Sequence, residues 1–136
     1  MKIQLHAQDL ISIGDLNPQE IRALLDRSIE LKTDQKGVQD HFFSGKIIAL
    51  LFEKPSLRTR IAFEVATHRI GGHPIYLGQQ EAALGARESI RDLGLGLSRW
   101  VDAIVCRTFA DSGLEELANA STVPVINALS DAEHPC

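Results

Sequence analysis

Blocks of apolar residues along the chain alternate between two spacings, one typical of helices and one typical of buried strands. Residues 17–32 carry apolar side chains at helical spacing, with Asn17 placed to cap the helix and Pro18 at its first position. After a polar stretch at residues 33–39, Lys46 to Glu53 (KIIALLFE) has a continuous apolar centre, which is typical of a strand covered on both faces. The pattern predicts a helix followed by a buried parallel strand.

The same alternation continues to the end of the chain. From Ser56 the spacing predicts a second helix, which the Gly71-Gly72 pair ends. The remaining segments are predicted as a strand at 74–78, a loop at 79–86, a helix at 88–100, a strand at 102–108, a helix at 113–120 and a strand at 124–129. This order predicts an α/β, three-layer domain, with a central parallel sheet of about four strands flanked by helices and joined by right-handed crossovers.

Composition limits the classes of partner. The 136 residues favour a single domain, and 14 Lys and Arg against 18 Asp and Glu give a net charge of -4, which lacks the basic excess of a nucleic-acid binder. No signal peptide or membrane span is indicated, so we expect a cytoplasmic protein without membrane partners. Cys106 and Cys136 lie too far apart for a metal knuckle and are expected to be reduced thiols.

The segment FEKPSLRTR (residues 52–60) places polar side chains where the second helix begins. Pro55 disfavours a helical conformation for the residue before it, which leaves Ser56 to cap the helix and its first amide hydrogens free to attract an anion. Four side chains add donors suited to phosphate oxygens: Ser56, Arg58, Thr59 and Arg60. The alternative is that Ser56 only caps the helix and the arginines form surface ion pairs, for example with Glu64.

Two further candidates follow later strands, and in a parallel sheet the carboxyl ends of the strands share one edge with the start of the second helix. Arg107 follows the apolar run AIVC, so its guanidinium needs a partner, either a bound anion or an acidic neighbour. His134 stands before Pro135, where an imidazole can donate to an oxygen that gains charge during a reaction, although a lone loop histidine is more often plain surface.

These residues match a known family. The chain resembles the amino-terminal, carbamoyl-phosphate-binding half of the aspartate and ornithine carbamoyltransferases along nearly its whole length. The combination of FEKPSxRTR with a terminal HPC is highly specific. Lys54, Thr108 after Arg107, and HPC rather than HPT make ornithine carbamoyltransferase the closer match.

The resemblance implies a site and a reaction. It places carbamoyl phosphate at the start of the second helix, with its phosphate held by Ser56, the Leu57 amide, Arg58, Thr59 and Arg107. Arg58 would be the main electrostatic catalyst, while Thr59, Arg107 and His134 would polarise the carbonyl oxygen as the ornithine amine attacks. The products would be citrulline and phosphate, as in arginine biosynthesis or urea-cycle chemistry. No metal and no organic cofactor is implied.

Three departures from the family pattern qualify this expectation. Leu57 replaces a usual Thr, and Ala83 stands where ornithine enzymes often carry a Gln that reaches a neighbouring subunit's site. The sequence ends at Cys136, before the Gln of the HPCQ motif and the ornithine-binding second domain.

Residues 1–136 are therefore expected to form the carbamoyl-phosphate-binding domain, inactive alone, in a family that forms homotrimers. Two alternatives stay open at this point. One is an aspartate carbamoyltransferase domain, and the other is a noncatalytic module for anion binding or oligomerisation.

Overall fold

A computed structural model of the chain describes residues 5–33 and 43–136. Nearly all of the polar stretch predicted between the first helix and the first strand lies outside these residues. The strands are β1 (Ile47–Phe52), β2 (His73–Leu77), β3 (Ala103–Arg107) and β4 (Val125–Asn127). The helices are α1 (Pro18–Thr33), α2 (Leu57–Arg69), α3 (Gln79–Ala82), α4 (Ile90–Leu97) and α5 (Asp111–Ala120), and a 3-10 turn covers Ile13–Asp15.

The four strands form one sheet in the order β2-β1-β3-β4, and every pair of neighbours is parallel. In the β1–β3 pair, Ile48 lies opposite Ala103 and Phe52 lies opposite Arg107. The predicted parallel sheet of four strands is confirmed. Its register brings the residues that follow β1 and β3 side by side at one edge, called here the carboxyl edge.

Both faces of the sheet are covered, because successive residues of β1 and β3 point to opposite sides. One face packs under α4 and α5, and its core comprises Ala49, Leu51, Ile104, Cys106, Leu114, Leu117 and Val125. The other face packs under α2, and its core comprises Ile48, Leu50, Phe52, Ala103, Val105 and Ala128. These two cores make the three layers that the continuous apolar runs predicted.

Several observed elements differ from the predicted ones. The predicted loop at residues 79–86 contains the short helix α3, and α4 is shorter than predicted at both ends, since it begins after its cap Ser89 and ends at Leu97. β4 ends at Asn127 because the chain turns there and Leu129 adopts a φ of 118°, which no strand residue has. In α1, Leu25 and Ile29 belong to the apolar spacing but remain 60% exposed.

Close packing of α4 on α5 depends on a glycine. A Cβ added at Gly94 would lie 3.0 Å from Ser121 Oγ and 3.2 Å from Ala120 Cβ, whereas one added at Gly96 meets nothing nearer than a Trp100 ring carbon at 4.0 Å. Because overpacking is destabilising, Gly94→Ala is expected to lower the free energy of unfolding by about 1–3 kcal/mol. Gly96→Ala is the matched control and should raise it by about 0.5–1 kcal/mol through helix propensity. Urea denaturation measures both, and equal effects would contradict this account of the interface.

Candidate functional site

The start of α2 is capped as the sequence predicted. Ser56 is extended (φ -158°, ψ 120°), and its Oγ accepts a hydrogen bond of 3.3 Å from the Thr59 N–H. The first N–H groups of an α-helix have no partner within the helix and carry its partial positive charge. The first turn of α2 contains no acidic residue, so that charge is not neutralised locally.

Arg107 reaches from the end of β3 to the start of α2. Its Nη1 donates to Thr59 Oγ1 at 3.1 Å and to the carbonyl oxygen of Ala128 at 3.5 Å. Its Nε is buried and has no hydrogen-bond partner among the residues that the structure describes. Within the described part of the chain Arg107 forms no ion pair, so the acidic neighbour considered as an alternative is not found there.

Arg58 and His134 are exposed and face the same cleft, which has a volume of about 440 Å³. The cleft is lined by Arg58, Thr59, Ala62, Phe63, Ala66, His134 and Cys136. Three predicted site residues therefore share one cavity, and a fourth, Arg107, joins them through the Thr59 hydroxyl. The side chain of Leu57 is 74% exposed and does not line the cleft, although its main-chain N–H belongs to the start of α2.

Arg60 follows the alternative interpretation. Its Nε donates to Glu64 Oε1 at 2.8 Å, and its guanidinium carbon lies 3.6 Å from the centroid of the Tyr76 ring. The hydrogen bond to Glu64 raises the pKa of Arg60. The predicted anion contact of Arg60 is thus replaced by an ion pair with Glu64. The two side chains meet because residues i and i+4 of a helix lie on one face.

Two charged residues that sequence reasoning did not select connect the loops of the carboxyl edge. Glu53 accepts hydrogen bonds from the Thr108 hydroxyl, the Phe109 N–H (3.3 Å) and the Leu84 N–H (3.3 Å). Lys54 Nζ lies 2.6 Å from Asp131 Oδ1 and 4.7 Å from the centroid of the Phe109 ring. Their position immediately after a buried strand was the signal in the sequence that could have identified both residues. Side chains at that position meet the loops that follow the neighbouring strands.

The loop that carries His134 is fixed by a buried asparagine. Asn127 Nδ2 donates to the carbonyl oxygen of Ile11 (2.9 Å) and to Ser130 Oγ (3.0 Å), and its Oδ1 accepts from the Leu129 N–H (2.9 Å). Leu129 has a positive φ, which costs a non-glycine residue about 1–3 kcal/mol and persists only where the surroundings impose it. The hydrogen bonds of Asn127 hold Leu129 in this conformation, next to the cleft.

The family model "Aspartate/ornithine carbamoyltransferase, carbamoyl-P binding domain" matches residues 8–136. The chain belongs to this family. The resemblance that the FEKPSxRTR and HPC segments suggested is confirmed.

Individual relatives agree with the family model. The ornithine carbamoyltransferase of Shewanella oneidensis is 47% identical over 126 residues, covering 93% of this chain and 42% of the relative, and that of Pyrococcus horikoshii is 44% identical, covering 100% and 43%. The solved ornithine carbamoyltransferase from Pyrococcus furiosus superposes with a TM-score of 0.93 at 43% identity, covering 98% of this chain and 44% of that one. The carbamoyltransferase-family chain thus spans about two-fifths of the length of these relatives.

Within residues 5–33 and 43–136, neither a membrane-spanning helix nor a metal-binding cluster is present. No helix there has the length and apolar character needed to cross a bilayer. No group of three or more His, Cys, Asp or Glu side chains there is arranged to hold a metal ion.

The two cysteines differ in their environment. Burial raises the pKa of the Cys106 thiol to about 12, and the charge of Glu53 acts in the same direction. Cys136 is exposed as a residue, but its Sγ lies 3.2 Å from the carbonyl oxygen of Asn127 and partial desolvation raises its pKa as well. Both thiols are free.

These environments predict an order of thiol reactivity. The thiolate is the reacting form, so a raised pKa lowers the reactive fraction at a fixed pH near 8. An aromatic disulfide reagent should modify Cys136 more slowly than a free peptide thiol and leave Cys106 unmodified until denaturant is added. Cys136→Ser, as control, should remove the native-state reaction. Fast modification of Cys106 in the folded chain would contradict its burial.

Proposed function

We propose that this chain is the carbamoyl-phosphate-binding half of an ornithine carbamoyltransferase, an enzyme that transfers a carbamoyl group to ornithine and yields citrulline and phosphate. One observation carries the proposal. The guanidinium of Arg107 is held beside the open start of α2 through Thr59, while its buried Nε keeps a donor without a partner. The names of the relatives, which are ornithine carbamoyltransferases, support the choice of reaction.

The phosphate of carbamoyl phosphate is proposed to lie against the first turn of α2. Unpaired N–H groups at a helix start suit an anion, and the Ser56 and Thr59 hydroxyls add donors there. Arg58 and Arg107 approach the same turn from two elements, α2 itself and the end of β3. Because guanidinium groups form charge-assisted hydrogen bonds with phosphate oxygens, these two arginines are proposed to neutralise most of the dianion's charge.

The carbamoyl carbon is proposed to react above Thr59. Since the Thr59 oxygen already accepts from Arg107, its own O–H proton is free to donate to the carbonyl oxygen. A His134 N–H from the same cleft is proposed as a second donor. As the ornithine nitrogen bonds to the carbon, these donors stabilise the negative oxygen of the tetrahedral intermediate. The carbonyl then re-forms as the carbon–oxygen bond to phosphate breaks, the ornithine nitrogen gives up one proton to the departing phosphate, and the arginines stabilise the hydrogen phosphate that leaves.

The proposals for the domain, the ornithine site and the assembly rest on how much of each relative this chain matches. Residues 1–136 are proposed to be one domain, and the ornithine site is proposed to lie in the part of the longer relatives that this chain does not match. A homotrimer, a cytoplasmic location and a place in arginine biosynthesis belong to the same proposal. Leu57 is proposed to contribute its main-chain N–H alone, since its side chain is exposed.

Isothermal calorimetry with carbamoyl phosphate tests the anion site. Arg58→Ala is expected to weaken binding about 10- to 100-fold, since a hydrogen bond to a charged group contributes roughly 1.5–3 kcal/mol. Arg60→Ala removes the same charge two residues further along α2 and is the matched control, because Arg60 is bonded to Glu64. It should change affinity little. Equal losses would indicate a general charge effect, and an affinity that Arg58→Ala leaves unchanged would contradict a site at the start of α2.

Turnover separates the catalytic half from a noncatalytic module. The isolated chain should form no citrulline from carbamoyl phosphate and ornithine. Addition of a separately expressed second domain from a relative such as the Pyrococcus horikoshii protein should restore formation, and Arg107→Ala should abolish it. Colorimetric citrulline detection measures this. A mixture that binds carbamoyl phosphate and ornithine yet stays inactive would favour the noncatalytic module.

A further inference from the structure

We propose that Glu53 is a positioning residue that holds the two loops bearing Arg107 and His134 in the geometry that receives the anion. The inference rests on the proposed function. Glu53 follows β1 directly and lies three residues before Ser56, so it belongs to the same segment as the start of α2. The hydrogen bonds that its carboxylate accepts nevertheless come from other segments of the described chain.

The carboxylate holds the chain immediately after Arg107. Oε2 accepts both the Thr108 hydroxyl and the Phe109 N–H (3.3 Å), and the Glu53 main-chain N–H donates to the Arg107 carbonyl oxygen at 2.8 Å. Glu53 therefore makes three hydrogen bonds to this part of the chain. Its main-chain N–H bonds to Arg107, and its carboxylate bonds to the two residues that follow Arg107. A shift of Thr108 and Phe109 would carry the Arg107 backbone with it and change where the guanidinium meets Thr59.

The same hold extends to the His134 loop. The carbonyl oxygen of Phe109 accepts the Asp131 N–H at 2.9 Å, and Asp131 begins the short segment that ends in His134. On its other oxygen, Glu53 accepts the Leu84 N–H at 3.3 Å, which attaches the segment after α3. Two segments of the carboxyl edge thus bond directly to the Glu53 carboxylate, and the His134 loop is attached to one of them through Phe109.

The geometry requires a side chain with two acceptor oxygens and not merely a polar side chain. Three donors meet two oxygens, and a glutamine amide would turn an N–H toward at least one of those donors. Thr108 is buried, so its hydroxyl needs an acceptor nearby. No ion pair involves Glu53 within residues 5–33 and 43–136, and its charge is stabilised there by hydrogen bonds.

This charge makes the role testable, because electrostatics and positioning predict opposite results. A carboxylate at the edge where a dianion binds repels that dianion, so its neutralisation by itself should strengthen binding. If Glu53 positions the loops, Glu53→Gln should instead weaken binding despite the favourable change in charge. A purely structural residue far from the ligand would lower the melting temperature and leave the affinity of the folded protein unchanged.

The experiment measures carbamoyl phosphate affinity by calorimetry and amide hydrogen exchange by NMR on the whole chain. Glu53→Gln is expected to weaken binding about 2- to 10-fold, as for the loss of one hydrogen bond. Exchange of the Phe109 and Leu84 amides should accelerate, while that of Leu50 in β1 should not. Glu116→Gln, which removes an exposed carboxylate from α5, is the control for charge and should change neither quantity.

Each outcome decides the question. Affinity that is unchanged or raised in Glu53→Gln, with binding intact in the unsubstituted chain, overturns the positioning role and leaves the proposed function standing. Absence of binding by the unsubstituted chain overturns the proposed function and this role with it. Should Glu53→Gln fail to fold, Thr108→Val removes one of the three bonds and retains the charge. Thr108→Val should weaken binding in the same direction, and unchanged affinity would overturn the inference.

Discussion

Parallel pairing of β1 with β3 is the constraint on which the site depends. The register sets Phe52 opposite Arg107, so the loop that leads into α2 and the loop after β3 leave the sheet side by side. Parallel strands need cover on both faces, and the two cores supply it with almost wholly buried side chains. A shift of one residue in this register would exchange the two faces and separate Arg107 from Thr59. Core packing and site geometry are therefore set by the same pairing.

An acidic chain can still present a positive site because the relevant charges are local. The chain carries a net charge of -4, yet the carboxylates of the carboxyl edge are occupied, Glu53 by three donors and Asp131 by Lys54. The start of α2 has no acidic residue of its own, and Arg58 and Arg107 extend toward it. Short-range donors of this kind decide anion binding more than net charge does, since distant exposed charges are screened within about 10 Å in ordinary salt.

Sequence patterns correctly predicted the structural features that depend on local chemistry or on long apolar runs. The cap at Ser56, the buried strands β1 and β3, and the placement of Arg107 and His134 at one edge all follow from spacing and strand order. The choice between an anion and Glu64 as the partner of Arg60 could not be made, because both fit the same helical spacing. The end of β4 was also missed, since the positive φ of Leu129 is imposed by Asn127 and by contacts distant in sequence. Glu53 was missed for the same reason, because its three donors come from two later segments of the chain.

The Nε of Arg107 has no hydrogen-bond partner within residues 5–33 and 43–136, which supports the proposed anion site over a purely structural role. Leaving a buried donor without a partner costs about 1–3 kcal/mol, which selection for stability alone would remove through a carboxylate or carbonyl at that point. The Nη1 bonds to Thr59 and Ala128 already join β3 to α2 and to the end of β4, so the structural task is complete without Nε. The guanidinium therefore carries a positive charge and an N–H donor that its contacts with α2 and with the end of β4 do not use. The proposed anion site at the start of α2 depends on this surplus.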